Sequence, residues 1–445
     1  MELQINKPQI LLEDEREQEG FDPEEVLTIA MDLCECMLEC GAEIHRVEDT
    51  AERICRAYGA ERVEIFAMTS LITATIVMAD DRKSTQVRRV YGSANELYKI
   101  EKLNALSRTI CRDTPKPSRV KEQIRSIQRK QTYPRLLKYV GGFIGTVGFC
   151  LFFGGNLYDA LLCSIVGMVV CLLDFNRPKY INQIVYTVFV SAVASFLSWL
   201  FTSLCAGYIE VHLSTINISI IMLLIPGLAL GNAVRDLLCG ELVSGAVKML
   251  QCILIAAAIA TGFTCVLLFF GGDTSTYSSV PDPLCMIVMG GGGALGFSVL
   301  FGVHPKRLVY ATIAGMICTS AYMVVDEMVP VAGFLGLFLA SLAGGAACTL
   351  YAEVLARILK TPATVFLIPG LIPMVPGGSL YYTMAFLVQG DQSVAAGKGI
   401  DTLCVCLGIS TGIVIMSVLG QIWRNTVESA ARKKMQRKAT KLQDT

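Results

Sequence analysis

The stretch Phe366–Ser379 reads F-L-I-P-G-L-I-P-M-V-P-G-G-S. Three prolines, Pro369, Pro373 and Pro376, and three glycines, Gly370, Gly377 and Gly378, interrupt an apolar run from Ala363 to Val388. A continuous helix does not accept that pattern: each proline removes a backbone donor and collides with the preceding turn, and each glycine adds backbone freedom. In a bilayer, the freed N–H and C=O groups need partners, so broken backbone survives only where protein or a wet cavity covers it. A shorter copy, Leu224-Ile225-Pro226-Gly227-Leu228 followed by Gly231-Asn232, lies upstream, and Ile-Pro-Gly-Leu occurs in both. Paired interrupted segments in two halves of a chain point to a secondary transporter's substrate site. The plainer alternative is a pair of proline-kinked structural helices.

The rest of the composition fits a membrane setting. Of 445 residues, 53% are hydrophobic and 17% charged, with a formal net charge of zero, and most of the charge sits in 1–138 and 424–445. Between them lie ten apolar stretches, about 139–154, 157–174, 181–205, 214–230, 242–270, 284–302, 307–325, 328–352, 363–388 and 400–423. A span needs about 20 apolar residues. Met1–Gly20 is acidic and polar, unlike a signal peptide. No nucleic-acid partner is expected of such a chain. Of the 17 cysteines, twelve follow Tyr139 among apolar residues, where they act as small hydrophobes. No paired C-x-x-C or nearby Cys/His set builds a zinc site, so neither metal nor cofactor is expected.

Residues 1–20 read as a disordered acidic segment. Residues 21–113 read as a small cytosolic α/β domain, and 114–138 as a linker with a basic juxtamembrane helix. Asp22-Pro23-Glu24-Glu25 is a helix start, with an N-cap, a proline at the first position and acids in the first turn. Val47, Ala51, Ile54 and Tyr58 form the buried stripe of a second helix. Arg62–Ala67 and Leu71–Ala79 read as strands, with a third at Thr85–Val90. The polar cluster from Glu43 to Arg53 reads as a solvated helix face with pairs such as Asp49–Arg53 and Glu52–Arg56. His45 has no nucleophile beside it in sequence, so a hydrolase reading of this domain is unsupported.

Loop charge sets the orientation. Lys116 to Lys138 precede the first stretch. Arg177 and Lys179, Arg235, Lys306 and Arg307, Arg357 and Lys360, and the basic tail 424–445 fall on the same side. The intervening loops carry almost no base, Lys398 being the exception. This predicts both termini in the cytoplasm and a multi-pass protein of the cell membrane. Gly142–Met168 aligns without gaps on Gly290–Met316, matching Gly, Phe, Ile and Met in register. Stretches one and six correspond, as do four and nine, which divides the spans into repeats at 139–270 and 284–423. With five spans each, the second repeat inserts inverted, a recurring build of secondary transporters. The G-x-x-G-x-x-G faces read as packing surfaces.

Intramembrane charge is a functional hypothesis by default. Asp236, Glu241, Lys248, Lys398 and Asp401 are the candidates for coupling. Asp159, Asp174 and Glu353 lie near span ends, where they read as reaching headgroups. A zwitterion or a dicarboxylate needs a cationic or helix N-terminal partner for its carboxylate. Pro226, Gly227, Asn232, Pro369, Gly370, Pro373, Pro376, Gly377, Gly378 and Ser379 are the candidate solute-binding residues.

The first half resembles the threonine/serine exporter family, through Gly41-Ala42-Glu43-Ile44-His45-Arg46-Val47-Glu48 with Gly59, and Ile225-Pro226-Gly227 with Asn232, Asp236 and Gly240. The second half, through Ile368 to Gly377, is similar to the family's smaller module, and here the two are fused. The resemblance implies ten spans and export of threonine, serine or another small polar solute, driven by the proton motive force. Export of a dicarboxylate such as succinate is the alternative within the class. A membrane-anchored regulatory or scaffold protein acting through its cytosolic domain is the alternative outside it. Homo-oligomerisation stays open.

Overall fold

A computed structural model describes residues 21–91, 95–178, 180–238, 240–271, 281–329 and 333–443. The acidic segment 1–20 and residues 272–280 lie outside them, as do the side chains of the basic tail. The chain divides into two compact units, Met1–Thr132 and Tyr133–Thr445.

In the first unit the elements are α1 (Pro23–Glu39), α2 (Ile44–Ala57), β1 (Ala60–Met68), β2 (Leu71–Met78), β3 (Lys83–Arg89), α3 (Leu97–Asp113) and α4 (Pro117–Arg129). Asp22 caps α1 by accepting the Glu24 N–H at 3.2 Å, with Pro23 in the first turn. The strands form one antiparallel sheet in the order β1-β2-β3. Alternate β2 residues Ile72, Ala74, Ile76 and Met78 are buried, so one sheet face joins the helix core. Glu48 ties α2 to the sheet by accepting the Ala67 N–H at 2.8 Å. The Asp49–Arg53 and Glu52–Arg56 pairs, at 2.8 and 2.7 Å, run along an exposed helix face. Helix α4 buries Val120 and Ile124 within this unit. Burial pushes the Cys36 and Cys55 thiols up to about 12, which keeps them protonated and unreactive.

The second unit is helical throughout its described residues: α5 (Arg135–Phe152), α6 (Leu157–Phe175), α7 (Gln183–Cys205), α8 (Leu213–Leu224), α9 (Gly227–Leu238), α10 (Leu242–Phe270), α11 (Pro283–Leu300), α12 (Leu308–Met328), α13 (Phe334–Leu359), α14 (Thr364–Leu371), α15 (Gly377–Gln389) and α16 (Gln392–Gln443). Among the described residues, eight helices are long and apolar enough to cross a membrane. The bent pair Thr364–Met374 and Gly377–Gln389, which turns by 48°, makes a ninth candidate when counted as one span. The stretch read as 214–230 divides into α8, of 12 residues, and α9. Twelve residues rise about 18 Å, less than the roughly 30 Å of a hydrocarbon core. Large apolar side chains such as Leu157, Val185, Phe189 and Leu403 face outward, as lipid-facing surfaces require. The protein is a multi-pass membrane protein.

Helices α5 and α11 meet backbone to backbone. A Cβ on Gly148 would come 2.7 Å from Gly293 N, and one on Gly296 would run into the Gly145 backbone. Contacts of this kind come in pairs that exchange when Gly142–Met168 is laid on Gly290–Met316. Gly142 abuts Cys171 and Gly290 abuts Thr319; Gly167 abuts Thr146 and Gly315 abuts Ala294. Phe149 and Phe297, matched to each other, touch edge to face at 5.8 Å.

Candidate functional site

The two interrupted segments lie side by side. Helix α8 ends at Ile225, whose N–H bonds to Ile221 O at 2.9 Å, and α9 restarts after Pro226. In the second half, Pro369 sits inside helix α14, which continues through a 3-10 turn at Ile372–Met374. The break comes at Val375-Pro376, not at Ile-Pro-Gly-Leu. A proline near a helix start has few turns before it to disrupt, so Pro369 is accommodated. The structural counterpart of Ile225-Pro226-Gly227 is therefore Val375-Pro376-Gly377. The bonds that follow repeat in step: Leu230 N to Pro226 O at 3.1 Å with Leu380 N to Pro376 O at 3.0 Å, and Glu241 N to Asp236 O with Asp391 N to Phe386 O, both 2.9 Å. Gly240 and Gly390 close the two helices at φ of 94° and 88°, a backbone region that favours glycine.

The glycines of these breaks serve close approach. A Cβ on Gly377 would lie 2.8 Å from Ile225 Cγ2 and 2.9 Å from Met222 Sδ, and one on Gly378 would lie 2.9 Å from Ile218 Cδ1. The start of α15 thus packs directly on α8. Neither Gly377 nor Gly378 has a positive φ, so the need for glycine there is steric. Gly370 packs on Ala314 and Cys348. Leu380, Tyr381, Tyr382 and Ala385 of α15 join Ile216, Ile220 and Phe263 in one core.

A cavity of about 340 Å³ lies beside the second break. Pro373, Met374, Pro376 and Ser379 form one wall, Thr319, Tyr322 and Met323 of α12 a second, and Phe152, Phe153 and Met286 a third. Of the solute residues expected from sequence, Pro373, Pro376 and Ser379 line it. Pro369 and Gly370 belong to helix packing, and Gly377 and Gly378 face α8. Pro226 and Asn232 of the first break do not line it. Thr319, Tyr322 and Phe152 were not singled out by the sequence, and Phe153 entered only as one of the repeat's matched phenylalanines, opposite Phe301.

Among the described residues, the lining contains no charged side chain. Lys248 instead points to Asp236, Nζ to Oδ2 at 2.7 Å, with side chains 20% and 10% exposed; Arg235 Nη2 stands 3.9 Å from Asp236 Oδ1. Lys398 and Asp401 pair at 3.7 Å and are about half exposed, at 41% and 47%. Glu241 stands at the N-cap position of α10 and makes no side-chain cap bond. Asp159, expected to reach headgroups, is fully buried.

Two family models match this chain. One, described as "Putative threonine/serine exporter", covers residues 28–270, and the other, "Threonine/Serine exporter, ThrE", covers 288–419. A "Probable threonine/serine exporter" of Mycobacterium tuberculosis (strain ATCC 25618 / H37Rv) is 22% identical over 411 residues, spanning 88% of this chain and 75% of the relative. No solved structure matches. With both matches end to end on one polypeptide, the chain belongs to the threonine/serine exporter family, in its fused form.

Proposed function

We propose that the chain is a secondary exporter of threonine, serine or a close neutral relative, driven by the proton motive force, with its solute site at the α15 break. The observation that carries this reading is the cavity's chemistry. Its volume falls at the small end of the roughly 300–1,000 Å³ of small-molecule sites. The first turn of α15 leaves N–H groups without intrahelical partners, and these with the helix dipole suit one carboxylate. Thr319 and Ser379 donate their hydroxyl protons to Gly315 O and Pro376 O, at 3.0 and 3.1 Å, so their oxygens remain acceptors for an ammonium or hydroxyl. One anion site plus acceptors fits a zwitterion. A second carboxylate would meet no cation among the described lining residues, which disfavours succinate.

The architecture we favour is ten spans in two inverted five-span repeats, α8 and α9 together forming the fourth span. The exchanging contacts of α5 and α11 and the matched bonds after each break support it. By loop charge, both termini and the Met1–Thr132 unit face the cytoplasm. Lys248 with Asp236 is the proton-coupling pair in this reading, because a close buried ion pair changes most when one partner is neutralised.

Proteoliposome transport of labelled threonine, serine and succinate, with and without a proton gradient, tests the function. Gradient-dependent movement of the two amino acids is expected; movement of succinate alone would overturn the solute assignment. Reporter fusions at Gly155, Asp273 and Asp391 should report the exterior.

A further inference from the structure

Asp159 is a buried carboxylate with an unusual set of partners. It sits in the first turn of α6, is 0% exposed, and accepts three hydrogen bonds. Two come from backbone N–H groups, Asn156 to Oδ2 at 3.0 Å and His212 to Oδ1 at 2.7 Å. The third comes from the His212 ring, Nδ1 to Oδ2 at 2.8 Å. His212 is the N-cap residue of α8, so one carboxylate serves two helix N-termini. Outward from it, the His212 ring is 15% exposed, and its Nε2 lies 3.6 Å from Glu210 Oε1, on a side chain 84% exposed. Glu210, His212 and Asp159 therefore form a graded line from solvent to a dry interior.

We infer that this line is a proton entry relay that loads Asp159 and thereby loosens the start of α8. The inference rests on the exporter reading for its purpose. A hydronium at the surface gives its proton to His212 Nε2 and leaves water. The Nδ1 proton then passes along the hydrogen bond to Asp159 Oδ2. The imidazole ends neutral with its proton on Nε2, and the carboxylate ends neutral. Charge-assisted hydrogen bonds are roughly twice as strong as neutral ones, so both backbone bonds weaken on loading. The charge facing the two helix dipoles disappears with it. The groups facing Asp159 are His212 and Glu210 ahead of α8, Cys163 one turn along α6, and Cys150 of α5 behind that thiol. Helix α7 contains no Asp, Glu, Lys, Arg or His.

The mechanical consequence follows from where α8 leads. Its far end carries Met222 and abuts Ile225, the residues against which Gly377 packs. Gly377 opens α15, whose Ser379 lines the cavity. A rod of about 18 Å thus joins the relay to the solute site. The relay lies at the end that loop charge assigns to the exterior, where protons enter in a proton-driven exporter.

The test is hydrogen–deuterium exchange across residues 206–220 of the full chain in lipid nanodiscs, without solute, corrected for intrinsic rates. Between about pH 8 and about pH 5, the range in which histidine switches, protection should fall by about tenfold. Asp159→Asn, a mimic of the loaded state, should be weakly protected at both values. His212→Gln keeps a donor but no relay, and should stay protected at the acid value on the timescale where the unaltered chain opens. Equal protection at both values in the unaltered chain, matched by Asp159→Asn, would make the carboxylate a fixed cap and overturn the inference. If Asp159→Asn does not insert, identical pH responses of His212→Gln and the unaltered chain overturn the relay. Because no solute is present, a pH response without threonine transport would refute only the exporter reading.

Discussion

The two ends of the second unit solve one problem with different chemistry. At one end the loop between α5 and α6 is tied to the start of α8 by Asp159 and His212. At the other, the segment between α11 and α12 is tied to the end of α13, just ahead of α14, by Arg307 Nη2 donating to Leu359 O at 3.3 Å. Under the alignment of Gly142–Met168 on Gly290–Met316, Asp159 falls on Arg307 and Asn156 on His304. One tie is an imidazole on a carboxylate, whereas the other is a guanidinium, which keeps its charge. The charged pairs beyond the breaks differ in the same sense: Lys248 has Asp236 as a buried partner, while Phe386 occupies the matching place ahead of Lys398. The packing surfaces are near copies and the titratable chemistry is not.

The largest expected effects break the shared scaffold. Gly148→Ala and Gly296→Ala should each lose stably inserted protein, because their Cβ atoms would enter the opposing backbone. Overpacking costs about 1–3 kcal/mol in an ordinary core and more where backbone blocks relief. Gly145→Ala, whose Cβ would sit at an ordinary 3.8 Å from Gly296 Cα, should be nearly silent. Yield and melting temperature after detergent extraction report all three. Equal behaviour of Gly145→Ala and Gly296→Ala would contradict the contact pattern. Next in size is Gly377→Leu, which drives a side chain into Ile225 and Met222. The inserted fraction should survive, while threonine transport falls by at least about tenfold, as misplacement near a site commonly does.

The comparison also shows what a sequence discloses. The Asp22-Pro23 helix start was legible because a cap is local chemistry. The glycine faces of α5 and α11 were legible because spacing on a helix fixes the face. The second break falls inside the interrupted stretch Phe366–Ser379, but the recurrence of Ile-Pro-Gly-Leu in two different backbone settings does not single out its residue. Only the hydrogen bonds show Pro376, rather than Pro369, to be the partner of Pro226. Lys248 and Asp236 stood out as charges in apolar sequence, yet their pairing depends on how α9 folds back on α10. Asp159 and His212 lie 53 residues apart, and nothing short-range links them. The cavity wall of Thr319 and Tyr322 was invisible for the same reason, since ordinary residues acquire a role from what faces them.

Charge tests the asymmetry between the two pairs. Removing one partner of a buried pair costs about 3–5 kcal/mol, because the other charge is left unpaired. Lys248→Met and Asp236→Asn should therefore each lose transport and stability, and the double variant should regain part of the stability. Lys398→Met and Asp401→Asn remove a half-exposed pair of the kind worth about 0–1 kcal/mol and should change little. Double-variant cycles on melting temperature and uptake into inverted vesicles measure both pairs. Equal coupling at the two pairs would erase the proposed division of labour.

The smallest expected effect concerns one thiol beneath the first break. Cys252 is 1% exposed, and its Sγ lies 3.7 Å from Pro226 O, the carbonyl that also accepts the Leu230 N–H. Thr402 holds the corresponding place on α16, but its hydroxyl donates to Lys398 O within its own helix at 2.8 Å and does not reach Pro376. A thiol is a weak donor, so the bond itself contributes little. Its position matters more, because Pro226 O sits at a break in the helix, where water is scarce and a second donor has few substitutes. Cys252→Ala should cost about 1 kcal/mol, the scale of one modest hydrogen bond with the loss of a sulfur's packing. Cys252→Ser supplies a stronger donor in less volume and should fall between the two. Thr402→Ala should shift the melting temperature less than Cys252→Ala, since the backbone carbonyl it leaves is still within a regular helix. If the two alanine variants are indistinguishable, packing alone holds the first break, and the asymmetry between the halves is confined to Asp159, His212, Asp236 and Lys248.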